Sequence, residues 1–171
     1  MRENGRLAWR VAGMLALLQA GGVALATGRD ATPSTPAPVP EEFTLALGGD
    51  LIGPYQPVLK LGDPGFEQVV ALLRGADIAF ANQEGSVFDL AKFAGGPSAE
   101  HGGGHPLQSL AVGADLKSMG IRLVSKANNH ATDWGVLGLA ETESSLRRLG
   151  ITYAGSGPGL DAARAPGIAA T

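Results

Sequence analysis

Three short polar clusters in this 171-residue chain carry the side chains best suited to chemistry: Gly48-Gly49-Asp50, Asn82-Gln83-Glu84 and Ala127-Asn128-Asn129-His130. Together they offer two carboxylates, several carboxamides and an imidazole. A hard divalent cation takes anionic or carbonyl oxygen and imidazole, so this set points to a one- or two-metal centre. Each cluster also has an ordinary explanation. Asp50 can close a turn, Glu84 can be a solvated loop acid, and Asn128 and Asn129 are common turn formers. Recurrence of the same chemistry at three equivalent places favours a site. His130 can be a ligand or a general acid beside one, and spacing alone does not decide. Asp133 either orients that imidazole or caps a helix beginning near Gly135. Lys126 reads as a solvated lysine at a strand end, and Trp134 as a packing residue. His101 and His105 are four apart, but the glycines between them argue against a helix that would pair them. With no cysteine, thiolate metal sites, thiol nucleophiles and disulfides are excluded. Nucleophile-elbow, Walker and dinucleotide-fingerprint motifs do not occur.

The elements that must position these residues are legible as four apolar runs: 43–47, 76–81, 121–125 and 151–154. Between them lie segments of helical spacing. Phe66, Val69, Val70 and Leu73 follow Asp63 as N-cap and Pro64 at the first helical position. A second helix is expected from Pro106, with Leu107, Leu110, Ala111 and Ala114 on one face and Gly120 as its stop. A third spans 135–149, with Gly150 at its end. Alternating strands and helices predict an α/β fold with a mostly parallel sheet. In such a sheet ligands bind beyond the carboxyl ends of the strands, where all three clusters fall. The segment 88–105, rich in glycine, breaks the rhythm and reads as a long surface loop. A glycine-rich turn at Gly155-Ser156-Gly157 can bring backbone amides to an anion.

Residues 1–26 have the parts of a secretory signal: Arg2, Arg6 and Arg10, an apolar stretch, and Ala24-Leu25-Ala26 as a small-x-small cleavage site. Cleavage after Ala26 is expected, with an uncleaved membrane anchor as the alternative; the apolar stretch is short for a span. Residues 27–42 contain Pro33, Pro36, Pro38 and Pro40 and read as a linker that cannot bury a core. The expected folded domain is 43–171. A formal net charge of -3 gives no electrostatic reason for a nucleic-acid partner.

The ordered set Gly49-Asp50, Asn82-Gln83-Glu84, Ala127-Asn128-Asn129-His130 with Asp133 and Gly135, then Gly138, Glu141-Thr142 and Gly155-Ser156-Gly157, resembles the CapA family of poly-gamma-glutamate capsule biosynthesis proteins. The domain of that family is similar to calcineurin-like metallophosphoesterases. The resemblance covers about 43–168, and Ala-Asn-Asn-His-x-x-Asp-x-Gly is its most specific string. It implies that Asp50 and Glu84 are carboxylate metal ligands, that Asn129 is an amide ligand, and that His130 is the histidine facing the scissile phosphate, with Asp133 taken beside it as a catalytic candidate. It further implies one or two divalent ions, Mn, Fe, Zn or Mg, and a hydrolase of the phosphoesterase type. Two departures stand out. Ile52 occupies the place where the wider superfamily has a histidine, and later histidine ligands are absent up to Thr171, as in an amino-terminal half of an α/β sandwich.

Three functions follow as expectations. One is an exported, periplasmic or extracellular hydrolase acting on an anionic polymer or phosphoester. Another is a non-enzymatic factor in polymer synthesis or export, working with membrane-associated machinery. The last is an inactive fragment whose uncovered apolar faces promote aggregation.

Overall fold

The computed structural model describes residues 42–53, 55, 62–98 and 104–170, all within a unit spanning Pro38–Thr171. The expected signal segment, nearly all of the expected linker, and His101 lie outside the described residues. Among the described residues no helix is long and apolar enough to cross a membrane.

Strands β1 (Leu45–Asp50), β2 (Ile78–Asn82), β5 (Ile121–Ser125) and β6 (Thr152–Ala154) form one sheet in the order β1-β2-β5-β6. Every neighbouring pair in it is parallel. Helices α1 (Pro64–Gly75), α2 (Leu110–Ser118) and α3 (Gly135–Leu149) provide the crossovers, and a short α4 (Leu160–Arg164) follows. Two short strands, β3 (Ser86–Val87) and β4 (Leu107–Gln108), make a separate parallel ribbon. The expected α/β architecture is therefore present.

The core lies where the central strands meet α1, α2 and α3: Val70, Ala79, Ala81, Leu116, Met119, Ile121, Val124, Leu146 and Ile151 form one buried cluster. Burying a Val, Leu or Ile side chain is worth roughly 1.5–3 kcal/mol, so this cluster supplies the main favourable term for the sheet. β1 is an edge strand, and its Leu45 and Leu47 are exposed.

Local signals set most boundaries. Asp63 accepts a hydrogen bond from the Phe66 amide at 2.8 Å and Pro64 opens α1, as the spacing predicts. α3 ends in a left-handed Gly150 (φ 66°), whose amide bonds to Arg147 O while the Ile151 amide bonds to Leu146 O. This is the two-bond C-terminal motif that glycine permits without Cβ strain. It takes Ile151 out of the last strand, which begins at Thr152 instead.

Three expectations are corrected. α2 starts at Leu110, capped by Ser109, and not at Pro106. Leu107 and Gln108 instead extend to pair with Ser86 and Val87. The first strand runs on to Asp50 through an irregularity between Leu47 and Asp50, and the second starts at Ile78. Before it, the Asp77 carboxylate is turned back onto the backbone and hydroxyl of Thr44. Finally, the segment after β3 does not begin as a surface loop. Phe88 is buried and packs on Phe93 and Trp134, drawing the chain into a short 3₁₀ turn at Leu90–Lys92.

Candidate functional site

Parallel register brings the polar clusters together. Asp50 and Asn82 are direct partners at the ends of β1 and β2, and Asn82 in turn pairs with Ser125 at the end of β5. The Asn82 amide nitrogen donates to Asp50 Oδ1 at 2.8 Å. Asn128 Nδ2 donates to Asn82 Oδ1 at 3.0 Å and to the Gln83 carbonyl at 3.0 Å. The Asn128 oxygen accepts from the His130 amide at 3.1 Å, which fixes the loop that carries the imidazole. A continuous chain of carboxamides thus ties three strand ends into one rim.

His130 faces two carboxylates. Its Nδ1 lies 2.7 Å from Asp133 Oδ2, and its Nε2 lies 3.4 Å from Glu84 Oε1. Asp133 is buried, and it orients the imidazole. Of its two expected roles this is the one observed, since α3 begins with no side-chain cap. With Nδ1 turned to Asp133, Nε2 is the ring nitrogen directed toward Glu84.

The surroundings shift the Asp50 and Glu84 carboxyls in opposite directions. The amide of Asn82, then the bond with Glu84, pull the Asp50 carboxyl below its ordinary range. Desolvation, then the bond to Asp50 and its charge, push Glu84 up, while His130 and Lys126 act the other way. Two facing carboxyls cannot both ionise cheaply, and a shared proton or a cation between them relieves the repulsion.

Glu84 Oε2 is buried with no hydrogen-bond partner among the described residues. The oxygens of Asn82 and Asn128 are already engaged, whereas Asn129 is exposed and its side chain makes no hydrogen bond among the described residues. Two carboxylates at the strand ends supply the charge and the oxygen atoms that a hard cation takes. Among the described residues, however, no group of three or more His, Asp or Glu side chains stands ready around one point. The carboxylates match such a cation in charge and atom type without a complete ligand cage among the described residues.

Lys126 differs from its expected place at the surface. It is fully buried, and its Nζ donates to the carbonyls of Gln83 at 3.1 Å and Gly85 at 3.4 Å. Burial pushes its ammonium down to about 8, against the pull of Asp133, Glu143 and Glu84. Gln108 was not singled out by sequence, and Gln83 only as a member of the Asn82-Gln83-Glu84 cluster. Both are buried and bonded to each other at 3.0 Å, and Gln108 also donates to Leu51 O at 3.0 Å. Nothing local marks them, because their partners are distant in the chain.

The remaining candidates fall elsewhere. The Ser156 hydroxyl donates to Glu143 Oε1 at 2.8 Å. Its neighbour Gly155 (φ 94°) passes so close to Ala127 that an added Cβ would lie 2.6 Å from the alanine Cβ; the turn thereby buttresses the His130 loop. His105 bonds through Nε2 to Ser98 O at 2.7 Å and packs edge-on against Trp134, which is a packing residue as expected.

Residues 26–171 match the family described as bacterial capsule synthesis protein PGA_cap. Two proteins of Sinorhizobium fredii, uncharacterized protein y4sH and uncharacterized protein y4uA, are each 43% identical to this chain over 129 residues. The aligned part is 75% of this chain and 28% of each relative, so the match spans little more than a quarter of their length.

Proposed function

The chain belongs to the bacterial capsule synthesis protein family, and from that premise we propose that it is part of an exported protein acting on an anionic extracellular polymer through a metal-dependent, phosphoesterase-type site. The observation that carries this reading is His130 held between the Glu84 carboxylate and the buried Asp133 carboxylate, at the strand ends where Asn82 bonds to Asp50. In it, Asp50, Glu84 and Asn129 would hold a divalent ion, which would supply polarisation of a phosphoryl oxygen and a water of lowered pKa.

The chain's own groups do the rest. Asp133 keeps the Nδ1 proton of His130 in place, so Nε2 presents its proton to the departing oxygen of the substrate. The carboxamide chain Asp50–Asn82–Asn128–His130 keeps these groups at fixed separations, which is the positioning that such chemistry requires. The polymer class follows from the family, with poly-gamma-glutamate or another capsule polymer as substrate or cargo and membrane-associated synthesis machinery as partner. Export follows from residues 1–26, with the mature chain starting after Ala26.

A second reading rests on the absence of a ready three-ligand group among the described residues. In it the same rim binds polymer without cleaving it. The test is hydrolysis of bis-p-nitrophenyl phosphate by the full chain with Mn²⁺. The enzymatic reading expects turnover that Asp50→Asn abolishes and that His130→Gln and Asp133→Asn lower by about 10²–10⁴-fold. No Mn²⁺ binding and no turnover, with polymer binding intact, would replace it by the second reading.

A further inference from the structure

Glu84 sits between two carbonyls that point to the same ammonium. Gln83 O and Gly85 O, one on each side of it in sequence, both accept from Lys126 Nζ. Gln83 O also accepts from Asn128 Nδ2, and Gly85 O also accepts from Gln83 Nε2 at 2.9 Å. The turn from 83 to 85 is thereby tied to the loop that carries His130 and to itself. Lys126 has the most to lose by being there. It is fully buried, and among the described residues no carboxylate makes an ion pair with it.

A buried charge is expensive unless its donors are satisfied, and an apolar side chain of similar volume would fill the space at lower cost. What a lysine adds over such a residue is a set of N–H donors reaching both flanks of Glu84. We propose that Lys126 is a positioning residue for Glu84: its ammonium clamps the 83–85 turn so that the carboxyl is presented to Asp50 and His130. This rests on the metal-site reading for its consequence, though not for its geometry.

The test uses the full chain with Lys126→Met, Lys126→Gln, and Leu146→Ala as a core control that lowers stability without touching the turn. Without metal, NMR follows the Glu84 carboxyl carbon and the Gly85 amide. The expected result is that both signals move in the lysine variants and stay in place in Leu146→Ala. Calorimetric titration with Mn²⁺ should then show about 10-fold weaker binding in the lysine variants, the loss typical of a removed supporting contact. Unmoved Glu84 and Gly85 signals in a folded lysine variant overturn the proposal. So does unfolding of both lysine variants while Leu146→Ala stays folded, since that marks a general core role. If the unmodified chain binds no Mn²⁺ yet the signals move as expected, the metal reading fails and the clamp stands.

Discussion

Replacing Lys126 with methionine removes one titrating group from the interior, and the effect on stability has a definite sign. The folded chain holds this ammonium at about 8, against an ordinary 10.5. Between those values the unfolded chain binds the proton and the folded chain does not, so stability rises with pH across that window. Below about pH 8 both states are protonated, and the folded state carries the full cost of a buried charge. At about 1.4 kcal/mol per tenfold change in proton affinity, the span corresponds to roughly 3 kcal/mol. Urea unfolding of both proteins, followed by circular dichroism in the presence of EDTA, measures it. Every other titratable side chain is common to both proteins, so the difference isolates Lys126. The stability of the unmodified chain relative to Lys126→Met should climb by roughly 3 kcal/mol between about pH 7 and pH 11. A difference that stays constant across that range would show that the ammonium is hydrated in the folded state, and the burial argument would be wrong.

Two further outcomes are expected. Because Glu84 is held above its ordinary range beside Asp50, Mn²⁺ should displace a proton from the pair, and binding should weaken as pH falls through the raised Glu84 value; calorimetry in two buffers of different ionisation enthalpy measures the release, and its absence would remove the shared proton. Gly150→Ala places a Cβ at φ 66°, so thermal unfolding should report a loss of about 1 kcal/mol, and an unchanged midpoint would mean that the end of α3 relaxes without cost.

The parts of this protein that were legible in its sequence depend on residues close together in the chain. Asp63-Pro64 marks the start of α1, Gly150 marks the end of α3, and the apolar run 121–125 is β5 as observed. Caps, left-handed glycines and short apolar runs act over a few residues, so sequence alone carries them. It also placed Asp50, Glu84 and His130 at one sheet edge, because parallel topology puts every strand's carboxyl end on the same side. Tertiary structure decided the rest. It linked Asn82 and Asn128 by hydrogen bonds into one rim, chose Asp133 as the partner of His130, buried Lys126, and made an extended strand of Leu107–Gln108 where helical spacing predicted a first turn. Gln108 reaches Leu51 across 57 residues, and Lys126 reaches Gln83 across 43. A polar side chain looks the same in sequence whether water or a distant carbonyl satisfies it; only the folded chain determines which one does.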